Sequence, residues 1–165
     1  MKKIFLCAAI AVLGLTSVNA QGEPKVGVNA GLVVGDFSDG YSFNLALDVA
    51  YLWGLSDQIE AGATVGYSHS FGKDVEGFKV DDASFLPLAA SGRFNVSEEF
   101  AFGVDLGYAV GIDEGNDGGF YYAPRIQYGV SDNLDIVAAY RGVSMDAGPV
   151  TLGFNTITLG VEFEL

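Results

Sequence analysis

The strongest constraint on this chain is a strict apolar–polar alternation, held for about ten residues at a time and restarted by the same short phrase. That phrase occurs as Trp53-Gly-Leu-Ser-Asp-Gln-Ile59, Phe94-Asn-Val-Ser-Glu-Glu-Phe100 and Tyr128-Gly-Val-Ser-Asp-Asn-Leu134. In each copy an aromatic residue ends one alternating run, a serine with an acidic neighbour makes a tight turn, and the next run departs. Tilted strands of about ten residues are as long as bilayer hydrocarbon is thick. The pattern predicts a transmembrane β-barrel rather than a soluble sandwich.

Counting runs gives eight: residues 26–34, 41–51, 59–67, 86–94, 100–110, 120–128, 134–140 and 157–165. An even number with both termini on one side is what an up-and-down antiparallel barrel requires. Asp48, Glu60, Arg93, Asp105, Arg125, Asp135, Arg141, Glu162 and Glu164 all fall on one face, and the opposite, apolar face carries no charge. A lipid-facing Arg or Lys at mid-membrane costs about 2–4 kcal/mol, so lipid contact demands such a face. A lipocalin-like soluble barrel would turn its apolar set inward. Against that, the polar face holds Gly27, Gly31, Gly62, Gly66, Gly103 and Gly107 and reads as free of lysine, unlike a solvated strand face. Tyr41, Tyr51, Trp53, Tyr67, Tyr108 and Tyr128 lie at run ends, where interfacial girdles sit.

The first twenty residues read as an export signal: Lys2 and Lys3, an apolar stretch from Ile4 to Leu15, then Val18-Asn19-Ala20 as the cleavage site. That stretch is too short to span about 30 Å of hydrocarbon as a helix. Cleavage makes residues 21–165 a single barrel domain, beginning at Gln21. It also removes Cys7, which Leu6 precedes in place of a lipobox residue, and with it all thiol chemistry. Losing Lys2 and Lys3 takes the formal charge from −13 to −15, which argues against nucleic acid and anionic headgroups as partners.

The serine turns are short and read as periplasmic. The outer loops are then residues 36–40, 70–82, 112–119 and 144–153. Pro87 and Pro124 each cost a ladder hydrogen bond, which predicts a bulge or ragged rim beside them. The apolar phase slips between Phe154 and Ile157, so the last strand either begins after Asn155 or carries a bulge.

The signal, the eight alternating runs and the short turns resemble the small outer-membrane β-barrel family, the OmpA/OmpX-like barrels. The ending Gly160-Val-Glu-Phe163-Glu-Leu165 resembles that family's C-terminal signal to the barrel assembly machinery, with Leu165 where an aromatic is usual and Leu159 where a polar residue is common. The resemblance implies insertion by that machinery and a monomer surrounded by outer-membrane lipid. It leaves activity open, because such barrels serve as anchors, adhesins, small channels and lipid-modifying enzymes.

Inside, the alternation predicts layered ion pairs: Arg93 with Glu60 or Asp135, and Arg125 with Asp48 or Asp105. Glu162 sits low and Arg141 close to the outer rim. Eight strands leave room only for side chains, and glycines on the first, third and fifth runs would make space for the arginines, giving a packed polar plug. Six inward acids against three arginines favour the alternative, a narrow cation-favouring porin or small-solute channel. A surface adhesin is a third reading, which the short loops disfavour.

Nothing here predicts catalysis, a cofactor or a metal. His69, between Ser68 and Ser70 with Asp74 nearby, reads as a rim histidine, because neighbouring strand residues point to opposite faces. The loop Asp113-Glu-Gly-Asn-Asp-Gly-Gly119 has the composition of a calcium loop without its spacing or closing glutamate. The loop of residues 70–82 mixes Lys73, Lys79, Phe71 and Phe78 with four acids and reads as a solvated tip. The reading is a non-enzymatic outer-membrane barrel serving envelope structure or surface interaction.

Overall fold

A computed structural model describes residues 22–75, 77–148 and 150–165. The export signal and the cleavage before Gln21 lie outside the described residues. Ten strands form: β1 (Gly22–Val34), β2 (Tyr41–Gly54), β3 (Ile59–Gly72), β4 (Asp74–Val75), β5 (Phe78–Lys79), β6 (Ala83–Asn95), β7 (Phe100–Gly111), β8 (Gly119–Ser131), β9 (Leu134–Ala147) and β10 (Val150–Glu164). Eight close into an antiparallel up-and-down barrel in the order β1-β10-β9-β8-β7-β6-β3-β2. The short β4 and β5 pair only with each other, as a ribbon in the β3–β6 loop.

The serine turns explain their own sequence. The Ser56 hydroxyl accepts from the Ile59 N–H at 3.1 Å, and the Ser97 hydroxyl accepts from the Phe100 N–H at 3.1 Å. A hydroxyl three residues before the strand start therefore satisfies an amide that the turn would otherwise leave open. At the third turn the Ser131 hydroxyl instead meets the Asn133 carboxamide at 3.2 Å. The chain ends meet at the same end of the barrel, where the Leu165 N–H donates to the Pro24 carbonyl at 3.0 Å.

The outward face is apolar along the ring, with Leu32, Leu88, Phe102, Phe120, Ile157 and Leu159 more than half or close to half exposed. Soluble monomers rarely leave so large an apolar band to water, and a band of this kind marks contact with a membrane.

Four expectations change. Neither proline makes a bulge. The β3–β6 pairing skips Gly66/Pro87 and Tyr67/Leu86 and resumes in the same register, while Pro87 stays paired to Ala109 of β7. The β8–β9 pairing skips Ala123 and Pro124 likewise, while Pro124 stays opposite Val104. Each ring turns its missing N–H toward one neighbour and leaves the other ladder whole. The register shifts fall elsewhere, between Tyr41 and Asn44 and between Gly129 and Ser131.

β10 neither starts after Asn155 nor bulges: its register with β9 runs unbroken from Val150 to Phe163. The apparent slip is Phe154 pointing inward and buried, in an apolar layer that alternation alone assigns to lipid. The anticipated loop of residues 144–153 is accordingly mostly strand, with β9 running to Ala147 and β10 beginning at Val150.

The glycines do not all make room for arginines. A Cβ on Gly62 would fall on the Tyr51 carbonyl, and one on Gly107 on the Leu88 carbonyl, so these glycines permit close strand approach. Among the described glycines only Gly103 has arginine atoms over it: a Cβ there would lie 2.6 Å from Arg93 Cδ and 2.9 Å from Arg125 Cγ. Gly92→Ala, which meets nothing within 4 Å, is expected to change stability by no more than about 0.5 kcal/mol. Gly62→Ala should cost about 1–3 kcal/mol by overpacking. Urea unfolding in lipid vesicles, followed by tryptophan fluorescence of Trp53, separates the two.

Candidate functional site in the barrel lumen

Alternation places one residue in two inside, and the lumen they fill is stratified along its axis. At the short-turn mouth Lys25 is buried among carboxylates, with Nζ 3.6 Å from Glu60, 3.4 Å from Glu164 and 4.0 Å from Glu23. The supposedly lysine-free face thus carries a lysine. The register that puts Val26 and Val28 outside puts Lys25 inside, and that signal was present in the sequence.

One level up, Arg93 Nη1 donates to Asp105 at 2.7 Å, and Arg125 Nη2 donates to Glu162 at 2.6 Å. Asp105 also faces Arg125 Nη1 at 3.6 Å. Gln127 donates to Glu162 at 2.8 Å and to Asp135 at 3.3 Å. All these groups except Asp135 are buried. Above them Arg141 grips Asp48 with both terminal nitrogens, at 3.0 and 2.6 Å, and Asn29 donates to the same carboxylate at 3.0 Å. Arg141 Nε donates to Thr158, and its Nη1 reaches the Tyr121 hydroxyl.

The pairing differs from the one counted from the turns. Arg93 binds neither Glu60 nor Asp135, although Glu60 lies opposite it in the β3–β6 register. Its side chain runs over the bare Cα of Gly103 toward β7, and Lys25 holds Glu60. Arg125 does meet Asp105, but its shortest bond is to Glu162 on β10, reached across Ala139, the small β9 residue opposite it. Asp48 belongs to Arg141, which lies buried inside the lumen and not at the outer rim. Strand tilt and shear offset residues that stand equally far from their turns.

Charge is therefore distributed unevenly. Arg93, Arg125 and Arg141 are matched one for one by Asp105, Glu162 and Asp48 in the middle. The surplus acids Glu60, Asp135 and Glu164 crowd around Lys25 at the mouth. In the middle it is donors that lack partners: Arg93 Nε and Nη2 and Arg125 Nε and Nη1 make no hydrogen bond, whereas every carboxylate there does.

Above Arg141 the lumen turns apolar. Val33, Phe85, Ala109, Tyr121, Val143 and Phe154 close it, with Phe37, Tyr41 and Met145 packed over them. The space left beside Arg141 under this layer is about 20 Å³, room for roughly one water. The layer ends in an open cavity of about 610 Å³ at the long-loop end, and the short-turn end opens into one of about 720 Å³.

On the outer wall, His69 is more connected than the sequence suggests. Its Nδ1 lies 2.9 Å from the Ser84 hydroxyl and its Nε2 lies 3.5 Å from Asp82. The partners are thus neither adjacent serine nor Asp74: Ser84, the register partner of His69, is on β6, and Asp82 is in the segment that enters it. Ser84 is buried beneath the ring, and its N–H donates to Asp113. The cluster ties the β3, β6 and β7–β8 segments of the rim together. Asp113, thus engaged, also takes the Asn116 N–H on its carbonyl, and Asn116 in turn accepts from Gly118 N–H. Among the described residues no group of three or more His, Cys, Asp or Glu side chains could hold a metal ion.

The profile of a family described as the outer membrane protein beta-barrel domain matches residues 5–164. The chain belongs to that family. Ail of Yersinia pestis, solved in a phospholipid bilayer nanodisc, is similar at 18% identity over 87% of this chain and 99% of that one, with a TM-score of 0.60. A de novo designed transmembrane β-barrel matches at 15% identity over 89% of this chain and 98% of its own, with a TM-score of 0.56. The neisserial surface protein NspA matches at 13% identity over 88% and 98%, with a TM-score of 0.52. These likenesses are of fold. Comparison with curated proteins gave no match.

For an outer-membrane barrel the short turns face the periplasm and the longer loops the exterior. The C-terminal residues singled out earlier lie on β10: Phe163 and Leu165 face lipid, and Gly160 packs where a Cβ would collide with the Val28 carbonyl of β1. Arg125→Leu leaves buried Glu162 with the neutral Gln127 in place of its cation and Asp105 with Arg93 alone, and is expected to cost about 3–5 kcal/mol. Arg125→Leu combined with Glu162→Leu should recover part of that loss. The denaturant midpoint in lipid, measured for both variants, decides it.

Proposed function

We propose that this outer-membrane barrel acts through its surface and its structure, with a sealed lumen and no catalytic chemistry. The observation that carries the reading is the double closure of the interior: a charge-balanced layer of three buried ion pairs below and an aromatic layer above it. The surplus of donors over acceptors at mid-height also weakens the case for a cation path, which needs free carboxylates along its length. In this reading the chain is exported by a cleaved signal of residues 1–20, inserted by the barrel assembly machinery through the Gly160–Leu165 ending, and monomeric in outer-membrane lipid. The OmpA/OmpX-like grouping is supported by strand number, turn length and that ending alone.

A narrow cation-favouring porin is the second reading, and the acids gathered at both mouths favour it. An adhesin role rests on the outer loops and on the name of one fold relative, the attachment invasion locus protein. Planar-bilayer recordings of refolded protein under potassium and chloride gradients test the first two readings against each other. Silence is expected, with heat-modifiable migration showing that the barrel is folded. Steady cation-selective current that falls on acidification would overturn the sealed reading. Phe154→Ala with Arg141→Ala and Arg125→Ala opens the aromatic layer and two of the three ion pairs beneath it, and is expected to raise conductance above that of the unaltered barrel.

A further inference from the structure

The outer cavity has a composition unlike the lumen below it. Its floor is aromatic: Phe154 packs against Phe37, Tyr41 and Phe85, with ring centroids 5.3, 5.1 and 5.1 Å away. Phe85 and Phe154 are buried, but Phe37 and Tyr41 are only half-buried and turn part of their rings to the opening. Its rim is acidic from two directions. Asp81 and Asp82 come from the segment entering β6, and Asp113 and Glu114 come from the β7–β8 loop. Among the described residues no lysine or arginine lines the cavity. Two of these acids are fixed in place, Asp82 by the Gly72 N–H at 2.9 Å and by His69, and Asp113 by the Ser84 N–H. The cavity, at about 610 Å³, falls in the range of small-molecule sites.

An aromatic floor under a ring of carboxylates suits one kind of guest. The ring faces attract a cation, the apolar rings cover its hydrocarbon body, and the carboxylates supply long-range attraction and the final charge contact. An anion would meet four carboxylates with no counter-charge, and a neutral hydrocarbon would leave those carboxylates facing apolar surface. We propose that this cavity is a binding site for small organic cations, an ammonium group carried on a compact apolar or aromatic body. The site rests on the sealed-lumen reading, because only a closed barrel gives it a floor. Ligand enters from the exterior and stops at Phe154.

The test uses full-length mature protein in phosphatidylcholine nanodiscs, titrated with benzyltriethylammonium and followed by NMR of labelled Phe and Tyr side chains, with empty nanodiscs as reference. Saturable binding is expected, with shifts concentrated on Phe37, Tyr41 and Phe154. Benzenesulfonate and benzyl alcohol should bind at least tenfold more weakly. Asp81→Asn with Glu114→Gln changes two exposed side chains that hold no hydrogen bond to another described residue, so folding is retained, and affinity for the cation should fall at least tenfold. Absence of saturation, equal binding of benzenesulfonate or benzyl alcohol, or an affinity unchanged in the double variant would overturn the proposal. Conductance of the same preparation tells the two failures apart: current without binding removes the floor, and silence without binding removes the site alone.

Discussion

Everything in this molecule depends on backbone hydrogen bonding in a medium that offers none. Within hydrocarbon an unpaired amide costs several kcal/mol, so a sheet survives only as a closed ring. Here the last ladder, between β1 and β10, runs from Lys25 opposite Glu164 to Val34 opposite Asn155. Once the ring is closed, strand pleating sends alternate residues to lipid and to the interior. An eight-strand interior is narrow, so whatever points inward has to be packed or paired. The ion pairs, the glycine contacts and the aromatic seal are solutions to that single confinement.

The prolines show how little slack the confinement leaves. Pro87 and Pro124 each forfeit pairing to one neighbour only, and the opposite ladder holds the register through the gap. The half-broken ladder at Pro87 lies directly opposite Gly66, where a Cβ would sit 2.6 Å from an Asp48 oxygen. Local weakening and a tight lumen contact are thus adjacent, and the Arg141–Asp48 pair sits against that spot.

The strands, the serine turns and the outward face were legible in the sequence because each follows from local rules: period two, a hydroxyl before a strand, no charge toward lipid. The same alternation puts Asp48, Arg93, Asp105, Arg125, Arg141 and Glu162 at buried positions, and it also puts Lys25 inside, which the reading of that face as free of lysine passed over. The partners of these charges were not legible, because pairing across a barrel depends on shear, on which neighbour is glycine or alanine, and on competition. Arg93 turned to Asp105 over Gly103, and Lys25 took Glu60. The outer third was misread where an inward position is itself apolar. Phe154 and Val143 obey the alternation, but a rule equating apolar with lipid-facing reverses their phase. Ser84 and Asp82, the partners of His69, come from a strand and a loop that only the register brings beside it.

The Arg141–Asp48 pair also joins walls that are not neighbours. β9 and β2 are separated by β10 and β1 on the shorter path around the ring, so this two-pronged contact spans the bore like a cross-brace. A thin cylinder deforms most easily by flattening into an ellipse, and a brace across its width opposes that mode directly. The middle of the barrel should hold a round cross-section while the mouths flex. Stiffness would then be set by a few charged atoms on the axis as much as by the sheet that surrounds them.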